Sequence, residues 1–139
     1  MRIFRLPERL PATGRPVTWK WIPKLERRIV KQLGIRGSVT IAFVSRQAIQ
    51  KLNRRYRGQD RPTDVLSFNL ADSYDNELGD IVICWPILKQ QAKEHGNSLT
   101  AELQLLVTHG TLHLAGFDHD NPRQTRRLKQ LEEKLLYNL

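Results

Sequence analysis

Cysteine is almost absent from this sequence: Cys84 is the only one in 139 residues. One thiol cannot form an internal disulfide, which excludes a small secreted scaffold held by cystines. Nor can it build the zinc sites that depend on several thiolates. Long apolar runs are missing too. The longest, Ile81 to Leu88, covers eight residues and is interrupted by Pro86, whereas a membrane span needs about 20. The opening residues, Met1-Arg2-Ile3-Phe4-Arg5-Leu6-Pro7, hold no apolar core of a signal peptide, so secretion is not expected. Acidic residues are outnumbered, 14 Asp and Glu against 23 Lys and Arg, for a net charge of +9. Disorder is excluded by a composition that is 40% apolar and 27% charged. These limits leave one soluble, basic, cytoplasmic domain spanning residues 1–139, with no membrane partner.

The basic surplus is unevenly placed. Residues 1–36 carry ten basic and two acidic side chains, and residues 37–70 carry six and two. Residues 71–100 reverse the sign with two and five, and residues 101–139 balance at five each. A chain basic in its first half attracts polyanions, of which nucleic-acid backbone is the commonest in a cytosol.

Trp21, Leu25, Ile29 and Leu33 recur at steps of four within residues 17–33, which predicts an amphipathic helix ending at Gly34. The β-branched run Ser38 to Val44 predicts a strand. Ser45 is placed to cap a helix running to about Tyr56. A turn-rich loop, Arg57 to Pro62, leads to a strand from Val65 to Leu70, an acidic loop over 71–77 and an interior strand from Gly79 to Cys84. Helices are expected at about 86–95, 99–115 and 122–138, the last two opened by Ser98 and by Asn121-Pro122. This order implies an α+β fold, a small mixed sheet packed against several helices. Cys84 is expected as a buried, unreactive thiol. Trp19, Trp21 and Trp85 offer rings on which bases could stack, although Trp21 sits on the apolar stripe of its helix and reads as core.

The chemistry concentrates in His109-Gly110-Thr111-Leu112-His113-Leu114-Ala115-Gly116-Phe117-Asp118-His119. Histidines four apart on a helix share a face and reach one ion. Gly116 is placed to end that helix, and the turn after it can return His119 to the same ion. Three imidazoles leave a tetrahedral zinc one open position, the mark of a catalytic rather than a closed structural site. The spacing is that of the metzincin proteases, with one departure: their general-base glutamate follows the first histidine, and here that position is Gly110. His95, beside Glu94, reads as a solvated surface residue. Asp118 and Asp120 flank the third histidine and either could orient an imidazole; Asp118 could equally shape the turn, and Asp120 reads rather as support for the next helix start. Thr63 and Asp64, after Pro62, read as turn formers.

The run from His109 to His119 resembles the signature of the YbeY family, bacterial single-domain endoribonucleases of ribosomal RNA maturation. Two further blocks carry the same resemblance: Leu52-Asn53-Arg54-Arg55-Tyr56-Arg57-Gly58-Gln59-Asp60-Arg61-Pro62-Thr63-Asp64-Val65-Leu66-Ser67-Phe68, and Leu78-Gly79-Asp80-Ile81-Val82-Ile83-Cys84. It covers about residues 36–138, and departs where Phe117 replaces a usual tyrosine and Asn69 a usual proline. It implies one zinc held by His109, His113 and His119, a functional arginine at Arg57, and association with ribosomal particles. It also implies cleavage near the 3′ end of small-subunit rRNA. Read without the resemblance, Arg57 is one of four arginines between Arg54 and Arg61. With it, a planar guanidinium at a loop mouth is suited to clamp phosphate oxygens in pairs. The nucleophile is open between zinc-bound water and the RNA 2′-hydroxyl, and the general base is unassigned, with Asp64 and Asp118 as candidates. Two other classes fit the same residues: a zinc peptidase, opposed by Gly110, and a non-catalytic assembly factor with structural zinc.

Overall fold

Of the predicted apolar stripe, Trp21, Leu25 and Ile29 are buried and Leu33 is partly buried against the core, and the helix they define, α1 (Ile22–Leu33), lies with that face on the core. The computed structural model describes residues 2–7, 17–35, 37–69 and 77–139. After β1 (Phe4–Arg5) and α1 come β2 (Ser38–Val44), α2 (Arg46–Arg57), β3 (Val65–Asn69), β4 (Glu77–Cys84), α3 (Trp85–His95), α4 (Leu99–Leu114) and α5 (Pro122–Leu136). The fold is α+β, as the element order implies. The acidic loop lies almost wholly outside the described residues, as does Leu70 at the end of its strand. Among those residues no helix is long and apolar enough to cross a membrane.

The sheet has the order β1-β2-β4-β3. β2 runs parallel to both β1 and β4, whereas β3 is antiparallel to β4 and forms one edge. Alternation along β4 separates two apolar layers. Ile81 and Ile83 join the large core built with α1, α3, α4 and α5. Cys84 turns the other way, to Leu66 and to Ile49 of α2. Helix α4 is buried on several sides, from Leu99 and Leu103 to Leu112 and Leu114, because it lies between the sheet and helices α3 and α5. The expected caps are present. Ser45 accepts from the Ala48 N–H at 3.1 Å, Ser98 from Ala101 at 3.0 Å and Asn121 from Gln124 at 2.9 Å.

Two features differ from the sequence reading. β1 has only two residues, too few for any periodicity, and is held from a distance: Glu26, buried on α1, accepts the backbone N–H groups of Ile3 and Phe4. His95 is not merely solvated. Its ring is 53% exposed, yet its Nδ1 lies 2.7 Å from Oε1 of Glu102, which is 1% exposed. Asn97 donates to the same oxygen at 2.9 Å. The pair ties the end of α3 to the first turn of α4, and the hydrogen bond to Glu102 raises the His95 pKa above its ordinary 6.5. A histidine raised on folding stabilises the native state fully below the unfolded value, and loses that contribution as pH rises through the folded value. The urea midpoint of the native chain is therefore expected to exceed that of His95→Gln most below pH 6.5, with the gap closing as pH rises above it. A gap that stays constant over that range would show that the ring is not charged against Glu102.

Candidate metal centre

His109 and His113 lie one turn apart on the last turns of α4, with their Nε2 atoms 2.9 Å from each other. The helix then stops in a Schellman arrangement. The N–H of Gly116 bonds to the His113 carbonyl at 3.0 Å, and that of Phe117 to the Leu112 carbonyl at 3.0 Å. Gly116 takes φ +93°, a conformation that glycine adopts at little cost. The reversed chain brings His119 back, its ring centroid 5.6 Å from that of His109 and 5.4 Å from that of His113. Asp118 fixes the approach by accepting the backbone N–H of His119 at 2.7 Å. One ring nitrogen from each histidine lies within 4.8 Å of the others, a set able to hold a metal ion.

The donor chemistry fits a nitrogen-preferring first-row metal. Nitrogens about 2.0–2.1 Å from one tetrahedral ion sit about 3.3 Å apart, close to the spacing of the His109–His113 pair. Glu132 of α5 supplies the orientation: its Oε1 is 2.5 Å from His109 Nδ1. A carboxylate there holds the proton on Nδ1 and leaves Nε2, 2.9 Å from the His113 Nε2, free to ligate. The His113 pKa is lowered, first by burial and then by the neighbouring His109 and His119, which keeps its imidazole neutral and able to ligate.

Glu132 is missing from the sequence reading, which offered the aspartates flanking His119 for this task. Among the described residues neither aspartate bonds an imidazole. Asp118 accepts the His119 backbone N–H and so shapes the turn, and Asn121 caps the last helix as expected. Glu132 lies 23 positions from its partner, and only the packing of α5 on α4 joins them. Glu132→Ala is expected to weaken metal affinity about 10- to 100-fold without unfolding the chain. Competition with a chromophoric chelator measures it, and an unchanged affinity would reduce the contact to a surface ion pair.

His109 and His113 open onto a cleft of about 1190 Å³, above the range of about 300–1,000 Å³ typical of small-molecule sites. α2 and α4, on opposite faces of the sheet, both send residues into it around edge strand β3. Arg57, the last residue of α2, lines this cleft with His109 and His113. Its Nη2 donates to the Ser67 carbonyl of β3 at 2.6 Å, leaving an exposed guanidinium held by its backbone contact. Asp80 of β4 also lines the cleft, its pKa raised first by burial and then by the nearby Glu77. It lies in one of the blocks that carry the family resemblance, but the sequence assigned it no role. Asp64 forms a turn as expected, accepting from Val65 N–H at 2.8 Å and from the Thr63 hydroxyl at 3.2 Å. The tryptophans are elsewhere: Trp21 and Trp85 are buried, and Trp19 packs on Phe43.

The family model for endoribonuclease YbeY matches residues 17–139. The chain belongs to this family. An endoribonuclease YbeY from Carboxydothermus hydrogenoformans is 51% identical over 104 residues, 74% of this chain and 73% of the relative. One from Geobacillus thermodenitrificans is 38% identical over 136 residues, 86% and 87% of the two chains. The fold is similar to a Thermotoga maritima protein solved in solution, with a TM-score of 0.58 and 32% identity over 97% of this chain and 89% of the other. The YbeY frame also accounts for the departure from the protease pattern. A Cβ at Gly110 would sit 3.0 Å from Ile81 Cδ1 and 3.1 Å from Ser67 Oγ. Position 110 faces the sheet, where a protease-type glutamate would be buried against β3 and β4 instead of reaching the metal.

Proposed function

We propose that this YbeY-family chain is a zinc-dependent endoribonuclease that cuts single-stranded RNA and matures the 3′ end of small-subunit rRNA on ribosomal particles in the cytoplasm. The observation that carries the reading is that His109 and His113, two of the three clustered histidines, share one open cleft with the Arg57 guanidinium. His109, His113 and His119 would hold one zinc per chain. Zinc, when bound, supplies a Lewis acid and an acidified water. Glu132 keeps His109 in the ligating tautomer. Arg57, anchored through Ser67, presents its remaining donors to phosphate oxygens and opposes the negative charge that builds during phosphodiester cleavage. The basic helix α2, with Arg54, Arg55 and Arg57 in its last turn, attracts the strand.

The test incubates the zinc-loaded chain with single-stranded RNA, the same sequence as duplex and as DNA, and casein. RNA cleavage that is strongest on the single strand and weakens steeply with salt is expected. A 2′,3′-cyclic end with DNA spared would assign the attack to the 2′-hydroxyl, and slow cutting of DNA would assign it to water. Proteolysis without RNA cleavage would replace the reading by a peptidase. Tight binding to ribosomal particles with neither activity would replace it by an assembly factor.

A further inference from the structure

Leu6, Tyr56 and Tyr137 are the large apolar side chains that stand exposed among the described residues. Of these, only Tyr56 lines the cleft of the histidines, and it is 56% exposed. Its ring is held from two sides. Phe68 of β3 meets it at 5.3 Å between centroids and 71° between planes, while the Arg55 guanidinium carbon lies 5.3 Å from its centroid. Beyond Phe68 the alternation continues, with the Arg57 guanidinium carbon 6.0 Å from that ring. The result is a strip of cation, ring, ring and cation leading into the cleft.

A half-exposed tyrosine is not needed to fill the core, and its orientation is already fixed, so little freedom would be lost when a flat ligand lands on it. Aromatic surface interleaved with arginines is what a single strand of nucleic acid requires: rings for unstacked bases and cations for the phosphates between them. Duplex bases are already stacked inside their helix and cannot use such a ring. We infer that Tyr56, backed by Arg55 and Phe68, is a stacking platform for one unpaired base of the RNA strand, beside the phosphate at Arg57. The inference rests on the reading of the cleft as an RNA site and specifies which feature of RNA it grips. A ring face contacts any base without reading its edges, so the platform selects single strands over duplex and not one sequence over another.

The test measures binding, not turnover. Zinc-loaded protein is titrated by fluorescence anisotropy with a labelled 2′-O-methyl adenylate hexamer, and with the same sugar-phosphate hexamer lacking its bases. The native chain is expected to bind the base-containing strand about 5- to 10-fold more tightly, the lower end of the range for one stacked base. Tyr56→Ala should erase most of that preference, as should Tyr56→Leu, which retains an apolar contact for Phe68. Tyr56→Trp should keep it, and zinc content should be the same in all four proteins. Equal affinity of the native chain for the two strands would overturn the platform, and so would a preference that survives in both Tyr56→Ala and Tyr56→Leu. Cleavage failing while the Tyr56-dependent preference holds would sink the ribonuclease reading alone. Normal cleavage with no base preference would sink the platform alone.

Discussion

His113→Ala and His109→Ala are each expected to leave the purified chain with almost no bound metal, against about one equivalent of zinc in the native protein. The reason is the small number of donors. With three protein ligands, losing one leaves two imidazoles and water, and His119, the most exposed of the set, gains nothing from the helix geometry that pairs the other two. Activity should disappear along with the metal. His95→Ala is the control: it removes a histidine bonded to Glu102, outside the metal set, and should retain the full equivalent. Metal analysis of natively purified protein decides the matter. Unchanged zinc in both ligand variants would remove the metal centre and the mechanism with it.

Arg57→Ala is expected to separate chemistry from metal binding. Its side chain is exposed and bonds to one carbonyl, so the fold and the zinc should both survive its loss. The rate of RNA cleavage should fall about 10²- to 10³-fold, the scale seen when one donor to a developing oxyanion is removed. Arg57→Lys should recover little. A lysine ammonium has no planar fork with which to hold Ser67 and still offer a second pair of donors to phosphate. Single-turnover cleavage, circular dichroism and zinc content, measured on the same preparations, give the outcome. If Arg57→Ala lost its fold, the guanidinium would be a structural tie between α2 and β3.

Local chemistry made much of this protein legible in its sequence. The caps at Ser45, Ser98 and Asn121 act within three residues, and each is where its side chain placed it. The apolar stripe of α1 and the interior strand ending at Cys84 reported their own burial. His109 and His113 needed only the pitch of a helix, and His119 only a glycine able to reverse the chain. Gly110 could be recognised as an exception that needed a reason. The reason itself, Ile81 and Ser67 pressing on that position, is a contact across the fold.

What tertiary structure alone decided are the pairings between residues distant in the chain, where neither partner carries a local sign of the other. Glu132 looks like any glutamate on a charged helix until α5 packs on α4 and sets it against His109. His95 looks solvated until the turn between α3 and α4 brings Glu102 to it. Trp19 and Trp85, which offered surfaces for bases, are taken up by packing as Trp21 is, while Tyr56 is left in the cleft beside Arg57. Periodicity and capping depend on neighbours within one or two turns, so a sequence displays them directly. Which helix faces which is settled by how all the apolar faces are buried together, and that is a property of the whole chain.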